Sequence, residues 1–210
     1  MKDDFTEDKV DGVSEHHSLH IKETKKITKN YRVFVGAFQN DEPEFREILD
    51  LLMDAGKDDT LEYRISSPGG YVTECQQMVN IAENNFKGRT TGYIDSHASS
   101  AGAILFSACN KRVVHWNSRI MFHNYSGGYF GEYRKMKDRL DFDEKHIIDF
   151  LTIAKPFFSK KEWKKLINSK EYWFDAKEML KRGVATHIVI DGVEYNKKEG
   201  LKKLKKKIVK

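Results

Sequence analysis

The chain has 210 residues, 39% of them hydrophobic and 33% charged, and a net charge of +5. That is enough apolar material for one domain-sized core, and no stretch reaches the ~20 apolar residues of a membrane helix. Cys75 and Cys109 are the only cysteines and no signal-like apolar segment precedes them, which argues against a disulfide framework and for a reducing, cytoplasmic setting.

Residues 1–29 are rich in Asp, Glu, Lys and His without apolar periodicity, and read as a charged arm. "YRVFVGAF" (31–38) is the first expected strand, and "EPEFREILDLLMDAG" a helix with Phe45, Ile48, Leu51 and Leu52 at helical spacing. "TLEYRIS" (60–66) alternates as a strand, and "SPGG" (67–70) turns the chain into a helix carrying Val72, Cys75, Val79 and Ala82 on one face. "TTGYI", "RVVHW" and "RIMFH" are further strands, with the apolar helix "SAGAILFSAC" (100–109) after the first of them. A glycine-rich loop, "SGGYFG", leads to an amphipathic helix over about 131–155, ended by Pro156. Its Met136, Leu140, Phe142, Ile147 and Phe150 call for partners. Ser159 with Glu162, and Asp175 with Glu178, have the spacing of capping boxes, and Gly183 sits where a helix stops. "ATHIVI" is the last expected strand. Eight lysines against Glu199 over 197–210 read as a solvated basic tail, so neither nucleic acid nor membrane is expected as a partner. Strands alternating with helices predict an α/β fold in one domain.

Two strand-to-helix junctions carry candidate chemistry. At Ser67-Pro68-Gly69-Gly70 the glycines let backbone approach a ligand, although on these residues alone a tight turn is the favoured reading. In "SHASSAGA", Ser100 falls at a strand-to-helix turn among small residues. There a hydroxyl stays open while the next amide, that of Ala101, faces the same space, as acyl transfer requires. Close packing of a small-residue helix explains the same residues, and the stretch is only a loose cousin of the G-x-S-x-G elbow.

Taken in order, "SSPGG", "SHASSAGA", "NSRIMFH" and "WFDAKEMLKRGVATHI" resemble the proteolytic subunit of the Clp protease (the ClpP family) from about Tyr31 to Ile190. The resemblance implies a crotonase/ClpP-like fold of repeated β-β-α units with a projecting handle helix, here the helix after "SGGYFG". It also implies a serine endopeptidase that cuts unfolded proteins or peptides inside a ring-shaped chamber, without metal or cofactor. Its partners would be polypeptide substrates and copies of itself, in heptameric rings stacking to a tetradecamer. The expected organisation is a charged arm over 1–29, the peptidase domain over 30–192 and the basic tail over 193–210.

Residue by residue, Ser100 matches the family's nucleophile, His123 its general base, and Gly70 and Ala101 its two oxyanion-hole amides. Glu171 stands where the family has its acid, usually Asp. An imidazole can take the hydroxyl proton near neutrality, and a carboxylate on its far nitrogen fixes the tautomer. Among other candidates, His97 reads as a surface residue, Ser99 as a helix-start residue, Asp175 as a cap, and His187 as a base only in a different hydrolase order. Ala101 replaces the usual Met, Ser96 and His97 the usual Gly and Gln, and Asn124-Tyr125 the usual Gln-Pro. The implied AAA+ ATPase unfoldase docks on outward aromatic residues of the strand before "SPGG", where Glu62 and Arg64 stand here, so a different unfoldase or none is expected. The alternatives are an inactive structural ring subunit, favoured by Glu171, and a crotonase-type thioester enzyme, which needs neither Ser100 nor His123.

Overall fold

The structure is a computed structural model that describes residues 28–39 and 43–208; the expected amino-terminal arm lies outside them except for Thr28 and Lys29. Five parallel strands form the central sheet: β1 (Asn30–Val35), β2 (Thr60–Ser67), β3 (Thr90–Ser99), β4 (Lys111–His115) and, three strands further along the chain, β7 (His187–Ile190). Helices α1 (Pro43–Met53), α2 (Val72–Asn85) and α3 (Ala101–Ala108) connect the first four, as parallel neighbours require.

β3 serves two ladders. Its first half, Thr91–Ile94, pairs with β4, and its second half, His97–Ser99, pairs in parallel with β5 (Arg119–Phe122). β5 in turn pairs antiparallel with β6 (Tyr172–Asp175). The sheet therefore forks at the end of β3, where the chain turns into α3. Ala101 to Ser107 are all buried, so α3 is wrapped by protein on every side and shows no amphipathic stripe.

The core is continuous from β1 to β7. Leu61, Tyr63 and Ile65 of β2 face it, and the buried Tyr63 hydroxyl donates to the Met78 carbonyl of α2 at 3.1 Å. In α1 the inward stripe is Leu49 and Leu52, with Phe45 and Ile48 beside them, whereas Leu51 is 59% exposed. The stripe was one residue out of phase at that position because Leu51 and Leu52 are both apolar and spacing alone does not choose between them.

Past β5, the helix α4 (Tyr133–Leu151) buries only its last residue, and a 3-10 turn over Thr152–Phe157 carries the chain through Pro156. The expected single helix over 131–155 is thus shorter, with a tighter turn where proline removes a donor. Helices α5 (Lys160–Ile167) and α6 (Ala176–Arg182) have the expected caps: Ser159 makes a full capping box with Glu162, and Asp175 accepts from the Glu178 amide at 2.7 Å. Gly183 takes the left-handed conformation that stops α6.

The lysine-rich end differs from the solvated tail expected. Asp191-Gly192, both at positive φ, close a hairpin from β7 to β8 (Val193–Asn196), and α7 (Lys197–Ile208) follows. Leu204 is buried and Leu201 packs against the core. Two leucines three apart suffice to dock a helix that is otherwise mostly solvated lysine.

Arg182 ties α6 to α5, donating to Glu162 through both terminal nitrogens (2.9 and 3.2 Å) and to Glu178 at 2.7 Å. The Arg182 hydrogen bonds, then those from Ser159, hold the Glu162 carboxyl down to about 2. A carboxyl lowered on folding contributes stability above its unfolded pKa, near 4.5, and loses it as pH falls from there toward 2. Arg182→Ala should therefore lower Tm at pH 7 by several degrees, and the gap to wild type should narrow between pH 4.5 and 2 in calorimetric scans, leaving the part owed to the Phe157 carbonyl and the Phe174 ring; a constant gap would refute this account.

Candidate active site

β3 ends at Ser99, and Ser100 stands between strand and helix with φ 54° and ψ −123°. A non-glycine residue there is strained by about 1–3 kcal/mol and persists only where its surroundings hold it. They do: the Ser100 amide donates to the Met121 carbonyl of β5 at 3.0 Å, and its carbonyl accepts from Ala103 and Ile104. The turn is a nucleophile elbow in form, with the hydroxyl at the head of a buried helix.

Close approach explains the small residues around it. A Cβ on Gly69 would lie 2.6 Å from the Ser100 Cβ, and one on Gly102 would lie 2.8 Å from the Ser67 Cβ. A Cβ on Gly70 would lie 2.1 Å from the Phe38 carbonyl oxygen, which accepts from the Tyr71 amide at 3.0 Å. Gly69 and Gly70 both have positive φ. The "SPGG" turn is thus threaded between Phe38 and the elbow. Both readings of "SHASSAGA" hold together: backbones meet closely, and a serine stays half-buried at the surface of a cleft.

That cleft, about 770 Å³, is lined by Gly70, Ser100, Ala101 and His123 among others. The amides of Gly70 and Ala101 have no acceptor among the described residues. His123 follows β5 directly, and the Ser99–Met121 pairing sends the elbow and His123 out of the sheet at the same end. No hydrogen bond joins Ser100 to His123 among the described residues. The cleft's apolar lining comes from Val72, Ile104, Met121, Ile147, Phe150 and Leu151.

Glu171 is placed differently by backbone and by side chain. The β5–β6 register pairs Phe122 with Tyr172, and one further step along it sets His123 opposite Glu171. The carboxylate, however, accepts from the Trp173 indole at 3.2 Å, is exposed, and does not line the cleft. The strand YWFD itself escaped the sequence reading, its four residues lying between two stronger helix signals. Of the other candidates, His97 bonds Ser96 at 2.8 Å and His187 bonds Thr186 at 2.9 Å, both outside the cleft. Asp175 caps α6, and Ser99 is buried. The cysteines are buried, with both thiols pushed up by desolvation, Cys109 to about 12, which makes them inert at neutral pH.

On the face of β1–β4 opposite the helices, Glu62 accepts from Arg32 at 2.7 Å. Arg64 lies 4.4 Å over the Tyr93 ring and donates to both Asp95 oxygens. Residues that sequence reasoning missed are those of the cleft's outer wall, Tyr125 to Tyr129 with Arg139, Asp143 and His146. Their sole signal was the glycine-rich spacing of "SGGYFG".

A half-buried serine on a strained strand-to-helix turn thus shares one cleft with two unengaged amides on a mixed α/β fold. The model of the Clp protease family matches residues 15–191, and the chain belongs to that family. Its architecture is the ClpP-like fold, with α4 as the projecting helix. No curated protein sequence matches the chain. No helix among the described residues is long and apolar enough to cross a membrane, and no group of three or more His, Cys, Asp or Glu among them is arranged to hold a metal ion.

Proposed function

We propose that this chain is a serine endopeptidase acting on unfolded polypeptides or peptides within an oligomeric chamber. The observation that carries the reading is the Ser100 elbow: a strained serine in the same cleft as His123 and two unengaged amides. In this mechanism His123 takes the Ser100 proton as Oγ forms a bond to the scissile carbonyl carbon. The Gly70 and Ala101 amides bear the oxyanion charge, each worth about 3 kcal/mol of barrier. The protonated imidazole then gives its proton to the leaving amine as the C–N bond breaks. Water, deprotonated by the same imidazole, releases the acyl group and regenerates the hydroxyl. Glu171 serves by turning from Trp173 toward His123, which the strand register permits. The second reading, an inactive ring subunit, draws on that same Trp173 contact and on the missing Ser100–His123 bond.

Assembly into rings is supported by the apolar side chains that the projecting helix and its loop leave exposed, Phe130, Tyr133, Leu140 and Phe142. A fluorophosphonate probe on the full chain decides between the two readings. An adduct on Ser100, located by mass spectrometry, supports the peptidase; its absence from assembled protein supports the silent subunit. For partners, the charged Glu62, Arg64 and Asp95 stand on the outer sheet face beside the exposed Phe34, and their desolvation opposes apolar docking there. A purified Clp-type ATPase should therefore leave turnover of an unfolded substrate unchanged, and strong stimulation would refute this.

A further inference from the structure

The outer wall of the cleft has almost nothing to hold it. Residues 123–132 form no helix or strand, and a Cβ at Gly127, Gly128 or Gly131 would meet no atom within 4 Å. At its start, the Asn124 side chain donates to the Ile167 carbonyl at 2.8 Å and accepts from the Tyr125 amide at 2.9 Å. Between there and the start of α4, the tether among the described residues is Tyr129. Its hydroxyl donates to the Asp143 carboxylate, and the Arg139 guanidinium lies 4.3 Å over its ring. Arg139 and Asp143, one turn apart on α4, are themselves 3.8 Å apart. All three line the cleft.

We propose that Tyr129, Asp143 and Arg139 are a clamp of positioning residues that keeps the loop 124–131 standing as a wall of the substrate cleft. The trio is suited to this. A charge-assisted hydrogen bond fixes the ring's distal end, the cation holds its face, and the i, i+4 pair pre-orients both partners. The clamp reaches a long substrate through the wall and does not touch the reacting atoms. Opening it costs contacts along a polypeptide and leaves access to Ser100 open. This inference rests on the peptidase reading for its effect on substrate, though the clamp has a readout of its own.

Tyr129→Phe keeps the ring over Arg139 and removes only the hydrogen bond. It should raise KM for a peptide of about eight residues roughly three- to tenfold, with kcat within about twofold and Tm unchanged. Asp143→Asn retains an acceptor for the hydroxyl and should have the smaller effect. Labelling of Ser100 by a small fluorophosphonate should match wild type in both. Without any turnover, amide hydrogen exchange over 125–131 should quicken about tenfold in Tyr129→Phe. Unchanged exchange overturns the clamp. So does an unchanged KM with intact labelling, or a parallel fall in Tm and kcat. Failure of wild type itself to label overturns the peptidase reading, while the exchange result still decides the clamp.

Discussion

Replacing Ser100 by Ala should lower kcat for peptide hydrolysis by about 10⁴- to 10⁶-fold and leave Tm within a degree or two. In the proposed mechanism the hydroxyl supplies the bond-forming oxygen, so without it only the oxyanion amides and substrate binding would remain to accelerate attack by water. Stability should change little, because the strain at φ 54° lies in the backbone and is held by the Met121 carbonyl and the helix start, which alanine leaves in place. His123→Ala should cost about as much as Ser100→Ala, and the double variant no more than either, since the two act as one unit. Glu171→Ala should cost less, about 10- to 10³-fold, because its carboxylate must leave Trp173 to reach the imidazole. Single-turnover acylation separates these effects. Equal rates for wild type and Ser100→Ala would remove the assignment.

Gly69→Ala should cost at least 100-fold in kcat/KM although Gly69 donates nothing to the reaction. Its φ of +102° is strained for any L side chain, and the new Cβ would stand 2.6 Å from the Ser100 Cβ and 2.9 Å from the Ser99 carbonyl oxygen. None of these atoms is the free end of a flexible side chain. The Ser99 carbonyl belongs to a paired strand, and the Ser100 amide is bonded to β5. Relief must come from displacing the elbow or the "SPGG" turn, and a shift near 1 Å at a reacting group is worth about two orders of magnitude. Gly36→Ala is the matched control: its Cβ would meet nothing within 4 Å and no positive φ forbids it, so it should keep activity within about twofold. Full activity in Gly69→Ala would mean that the contact between turn and elbow has no catalytic consequence.

Much of the fold was legible because its signals are local. The alternation in "TLEYRIS", the caps at Ser159 and Asp175 and the stop at Gly183 each state their structure within a few residues. The segments that were misread lack such signals or carry conflicting ones. YWFD is too short for periodicity to register, and its status as a strand depends on β5 lying beside it. The lysine-rich end looked solvated because lysine dominates it, yet Leu201 and Leu204 decide its place once the β7–β8 hairpin brings them to the core.

The same division runs through the candidate site. By itself the sequence determined which residue types stand at each junction, a serine among small neighbours, paired glycines after a strand and a histidine ending another, and with them the family. What only the tertiary structure decided is which atoms meet. Gly69 lies against the elbow, Glu171 bonds Trp173 in spite of its register with His123, and Tyr129 reaches across to α4. The reason is physical. Backbone conformation and capping depend on residues a few positions apart, whereas a close approach or a side chain's choice of partner depends on elements distant along the chain and adjacent only after folding.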